Sequence, residues 1–189
     1  TISNLKWTTE TSGNTSSGDT SSSDTSSGNT SSSGQQANMP IKDEALGLFA
    51  YNTGTIKNLN LKDVTITFKD TSDKSVLHVG SLVGVNKGVV SNCSVDKSTI
   101  VIDNKKEGSG DTPKRLCVGG LVGESLWQPD KKDSTEKVES QISACTVNAI
   151  SITASNIFKG GSDTINTYVG GFVGFADGMV LEDCLMKKA

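Results

Sequence analysis

Residues 80–95 read GSLVGVNKGVVSNCSV. An apolar trio lies between glycines. A polar Asn-Lys-Gly follows, then an alternating run, then Asn-Cys. Related text recurs as LGLFAYNTGTIKNLNL at 46–61, as GGLVGESL and ISACTV at 119–126 and 142–147, and as GGFVGFADGMVLEDCLM at 170–186. The pattern is a repeat, with copies at about 45–68, 79–102, 118–153 and 169–189. Leu48, Leu82, Leu121 and Phe172 align, followed by Phe49, Val83, Val122 and Val173. A second block aligns Ile56, Val90, Ile142 and Leu181, then Leu59, Cys93, Cys145 and Cys184, then Leu61, Val95, Val147 and Met186. A third supplies Ile66, Ile100 and Ile152.

Strand side chains alternate between faces, so residues of opposite parity share a face only if the chain bends between them. Val90 and Cys93 both read as core, which places a corner at Asn92, and at Asn58 one copy earlier. Asparagine tolerates the left-handed backbone that such a corner demands. The same argument puts a second turn in DKST (96–99), between Val95 and Ile100. Each copy is thus expected to hold about three short strands. Such a unit cannot bury its apolar face alone, whereas stacked copies can. The expected fold is all-β, a right-handed parallel β-solenoid. An antiparallel β-sandwich of Greek-key type is the alternative. The opening residues Ile2, Asn4, Leu5 and Trp7 match Ile56, Asn58, Leu59 and Leu61. Residues 1–7 are therefore read as the second half of an upstream repeat, and the chain as part of a longer protein.

Composition adds one feature. Residues 8–40 form a Ser/Thr/Gly-rich low-complexity insert with almost no apolar residue, expected to be flexible and solvated. The net charge of −3 gives no basic footprint for nucleic acid. No apolar run is long enough to span a membrane as a helix.

Candidate chemistry is sparse. The four cysteines show no CxxC or Cys/His spacing of the kind that marks a zinc site. Cys93, Cys145 and Cys184 alternate with Leu59 in one column and read as buried thiols. Cys117 and Tyr168 align with His78, the one histidine, at a position that reads as strand filling, so Cys117 is expected to be shielded less completely than the other thiols. Asp63, Asp70, Asp96 and Asp103 are scattered. No catalytic residue, metal ligand or cofactor is assigned. The charge run QPDKKDSTEK (128–137) reads as a solvated loop; the alternative is that this insert meets a partner, with Trp127, exposed within the polar insert at 124–141, as the anchor.

The copies resemble the GLUG repeat, named for its Gly-Leu-apolar-Gly core. The resemblance rests on Gly80, Leu82, Gly84, Asn86, Gly88, Asn92 and Cys93, with Ser81 at the usual first glycine of the core. The other repeat positions are Gly47, Asn52, Gly54 and Asn58 in the first copy, Gly120, Gly123 and Cys145 in the third, and Gly171, Gly174, Gly178 and Cys184 in the fourth. Ala50 and Leu59 depart from the pattern, as do Ala176 and Asp183. The resemblance implies a non-catalytic repeat region of a large bacterial protein, extracellular or at the cell surface, with an adhesion, binding or spacer role. An accessory region of a secreted zinc metallopeptidase of the immunoglobulin A protease type is the alternative. A host protein or glycan, and neighbouring repeats of the same chain, are the expected partners.

Overall fold

The computed structural model describes residues 1–11, 45–70, 78–107, 115–127, 139–159 and 166–187. The Ser/Thr-rich stretch from 12 to 44, with most of the expected insert, and the polar run 128–138 lie outside them. All regular structure among the described residues is β. The strands are β1 (Ile2–Ser3), β2 (Lys6–Thr11), β3 (Ala45–Leu46), β4 (Phe49–Asn52), β5 (Thr55–Lys57), β6 (Asn60–Asp70), β7 (His78–Gly80), β8 (Val83–Asn86) and β9 (Val89–Ser91). They continue with β10 (Ser94–Glu107), β11 (Arg115–Gly119), β12 (Val122–Leu126), β13 (Ser140–Ser143), β14 (Thr146–Lys159), β15 (Asn166–Gly170), β16 (Val173–Asp177), β17 (Met179–Glu182) and β18 (Leu185–Lys187).

Each copy contributes one strand to each of four sheets, always in the same order. Sheet I holds β3, β7, β11 and β15; sheet II holds β4, β8, β12 and β16; sheet III holds β5, β9, β13 and β17. Sheet IV, of six strands, runs β1-β6-β10-β14-β18, with β2 also paired to β6. Every pairing among these strands is parallel. A Greek key needs antiparallel ladders, which these strands do not form. The repeat alignment is the observed register: Phe49, Val83, Val122 and Val173 are neighbours, as are Ile56, Val90, Ile142 and Leu181.

Two expectations change in detail. A copy has four strands, because the glycine core at 47–48, 81–82, 120–121 and 171–172 turns the chain between sheets I and II. The DKST segment does not end a strand: β10 runs through it with Lys97 at φ 56°. Asp63 and Ala149 take the same left-handed conformation in the neighbouring strands, and Asn4 takes it between β1 and β2. All the long strands therefore kink at one register, and pairing resumes without a slip. The kink switches parity, so Val95 and Ile100 both reach the core.

The opening residues also sit elsewhere than expected. Ile2 pairs with Leu61 and Trp7 with Ile66, so residues 1–11 lie beside the long strand of the next copy rather than repeating its corner. Asn4 matches the kink residue Asp63, not the corner residue Asn58. Both positions select left-handed backbone, which is why the two asparagines looked equivalent. The strand β2 continues to Thr11, into the stretch whose composition assigned it to the insert.

The corner between sheets III and IV is as read. Asn58 (φ 59°) and Asn92 (φ 49°) are left-handed, with Ala144 and Asp183 in the same column. Asn92 Nδ2 donates to Asn58 Oδ1 at 2.7 Å. The corner between sheets II and III carries a second polar ladder, this one buried. Asn52 Nδ2 donates to Asn86 Oδ1 at 2.8 Å, and Asn86 Nδ2 to Ser125 Oγ at 3.1 Å. Ser125 Oγ lies 2.9 Å from Ser140 Oγ. The Asn-x-Gly signature is explained here, since Gly54 N donates to Asn52 Oδ1 and Gly88 N to Asn86 Oδ1. One apolar cluster fills the interior, built on Leu61, Ile66, Phe68, Leu82, Ile100, Leu116, Leu121 and Ile142 among others.

Ala144 is the strained member of its column, because a non-glycine residue held left-handed costs about 1–3 kcal/mol. Ala144→Asn should recover about 1 kcal/mol of that, raising Tm by about 2–4 °C. Asn86→Ala should lose about 1–3 kcal/mol by leaving buried partners unmade. Thermal unfolding followed by circular dichroism checks both; a lower Tm for Ala144→Asn would contradict the corner assignment.

Candidate functional site

Sheets I and II pack against each other, and glycine sets how closely. A Cβ on Gly123 would stand 2.5 Å from the Val79 nitrogen and 2.7 Å from the Gly84 oxygen. Gly84 and Gly174 face sheet I of their preceding copies in the same way. The first copy has Ala50 in this column. It is exposed, and among the described residues no strand of sheet I lies beneath it.

Next to Gly123 this close approach brings three donor side chains together. His78 and Cys117 are register neighbours on β7 and β11. Glu124 projects from β12 and lies with its Oε2 3.0 Å from His78 Nδ1. One ligand atom from each of His78, Cys117 and Glu124 lies within 4.8 Å of the others. All three residues are buried; the His78 side chain keeps 10% of its exposure and that of Glu124 keeps 2%.

The site departs from the columns it occupies. His78 and Cys117 share theirs with Ala45 and Tyr168. Glu124 shares its column with Tyr51, Val85 and Phe175. Tyr168 and Phe175 stack in the following copy, ring centroids 5.0 Å apart and tilted by 58°. A buried carboxylate is costly unless a cation or donors offset it. The repeat itself asks only for an apolar side chain here. Imidazole nitrogen, thiol sulfur and carboxylate oxygen together form a donor set suited to a divalent transition-type ion.

Sequence reading named His78 and Cys117 but placed them in strand filling, and it gave Cys117 partial shielding. Cys117 is fully buried, because its outer face is covered by sheet II. Glu124 went unnoticed, as did Ser125 and Ser140 in the polar ladder. The available signal was a carboxylate at a position that is Val85 in one copy and Phe175 in another.

The other expected positions are placed as follows. Cys93 and Cys145 are buried, Cys184 is half-buried, and none of the four cysteines is disulfide-bonded. A hydrogen bond with Cys145 holds the Cys93 thiol at about 7, below its usual 9.0. The same bond, with burial, pushes the Cys145 thiol up. Trp127, expected to be exposed, is half-buried. Its ring lies over Gly178, where a Cβ would collide with it; Gly178 is also left-handed (φ 74°), so two constraints select glycine there. No helix among the described residues is long and apolar enough to cross a membrane. Compared with known proteins, the chain matches no family model, no curated sequence and no solved structure.

Removing His78 leaves the buried Glu124 carboxylate without the imidazole beside it, whereas removing the carboxylate leaves an imidazole, which need not carry charge. In metal-free buffer, His78→Ala should lose about 3 kcal/mol, and Glu124→Val, which restores the residue of the second copy, should lose much less. Urea unfolding of the two variants reads the difference, and equal losses would contradict the packing described. In the native state, a thiol reagent should modify Cys184 first and Cys93, Cys117 and Cys145 slowly. Mass spectrometry of quenched samples gives the order, and early labelling of Cys117 would show that sheet II does not cover it.

Proposed function

We propose that this chain is a right-handed parallel β-solenoid and serves as a non-catalytic repeat region of a large bacterial surface protein, resembling the GLUG type, with a spacing or adhesive role. The observation that carries the reading is the register. Equivalent residues of successive copies pair in all four sheets, so the copies add along one axis like rungs. Such an array lengthens by whole copies and keeps its cross-section, which suits a stalk. Its inserts fall between strands, where a repeat array tolerates them and partners can be met.

The buried grouping of His78, Cys117 and Glu124 lies between two packed sheets, where a polymer substrate has no approach.

Antibodies raised against the purified chain provide the test, applied to intact and to permeabilised cells of the source organism. Staining of intact cells is expected. Staining that appears only after permeabilisation would contradict the surface role and leave the fold in place.

A further inference from the structure

We propose that His78, Cys117 and Glu124 bind one divalent cation of the zinc type. Four properties of the molecule meet at this site. The first is donor chemistry: one nitrogen, one sulfur and one oxygen donor, each of a kind that zinc accepts. The second is geometry. Zinc bonds of about 2.0–2.3 Å place tetrahedral ligands about 3.3–3.8 Å apart. The three ligand atoms already lie within 4.8 Å of one another. Closing the widest pair needs a shift of about 1 Å, within the reach of side-chain rotation.

The third is charge. Cys117 gives up its thiol proton to solvent on binding, as metal thiolates require. The thiolate and the Glu124 carboxylate then cancel the charge of a divalent ion, with His78 neutral. A carboxylate that would otherwise sit in an apolar column becomes part of a neutral site. The fourth is rigidity. Two ligands stand on hydrogen-bonded neighbouring strands and the third on a strand held close by Gly123. Tyr168 and Phe175, next in the columns of Cys117 and Glu124, form the apolar roof. Three protein ligands leave a fourth position for water.

The site is covered, so metal is best supplied during folding. The whole chain would be unfolded in denaturant with a chelator, then refolded with Zn²⁺ or Co²⁺ and desalted. One metal per chain is expected. The cobalt form should show a thiolate-to-metal charge-transfer band, and X-ray absorption of the zinc form should show one sulfur among nitrogen and oxygen neighbours. The band should vanish in Cys117→Ser and persist in Cys93→Ser and Cys145→Ser. Glu124→Gln should weaken zinc binding about tenfold or more, the lower bound for loss of even an outer-shell partner. No thiolate band in refolded wild type would overturn the proposal. So would two or more sulfur neighbours, or a band that is lost in Cys93→Ser, because either moves the metal to the thiol column. These readouts on wild type and on the thiol-column variants decide the matter even if Cys117→Ser does not fold.

Discussion

Parallel pairing sets each residue about 4.8 Å from its counterpart in the next copy, and the remaining features follow from that spacing. Any side chain in a column must tolerate its neighbours above and below. Apolar columns become a continuous core, as along Leu61, Val95 and Val147. Polar columns become ladders, as along Asn52, Asn86 and Ser125. Backbone conformation is also shared down a column. Left-handed residues recur at the corner and at the kink, including Ala144, Ala149 and Lys97, which have no intrinsic preference for it. One residue leaving the conformation would slip the register of the strand that follows, so the pairing enforces it.

The same constraint explains the buried donor group. The glycine column at 84, 123 and 174 lets sheet II approach sheet I of the preceding copy. Side chains adjacent to that column are pressed against two strands of sheet I at once. In the second and fourth copies the space is filled by Val85 and Phe175. In the third it holds Glu124, which therefore meets His78 from one copy and Cys117 from another. The grouping is a product of stacking, and no single copy contains it.

Much of this architecture was legible because a period-two pattern with glycine and asparagine at fixed places leaves few folds open. Parity located the corner at Asn92, and the aligned columns turned out to be the paired ones. The failures have physical causes. Asn4 was aligned with Asn58 because two different left-handed positions select the same residue type. DKST looked like a turn between two strands because a parity switch looks the same whether the strand ends or only kinks. The fourth strand was missed because nothing in a short apolar trio between glycines marks the turn within it. Glu124 and Cys117 come together through contact between sheets, and residue spacing along one chain does not report such contact. Trp127 was read as exposed from its polar neighbours, yet its ring rests on Gly178 of the next copy.

The in-register parallel stack is the central claim, and a distance down one exposed column tests it most directly. Lys57, Ser91, Ser143 and Glu182 are register neighbours in sheet III. Nitroxide labels attached through Lys57→Cys and Glu182→Cys, in a background with the native cysteines replaced by serine or alanine, would lie three strand spacings apart. At about 4.8 Å per spacing, dipolar broadening of the spectrum should give a backbone separation of about 14 Å, widened by the label arms. Labels at Lys57 and Ser91→Cys should couple far more strongly, at one spacing. Separations well beyond about 25 Å for the first pair, or no difference between the two pairs, would contradict the stack.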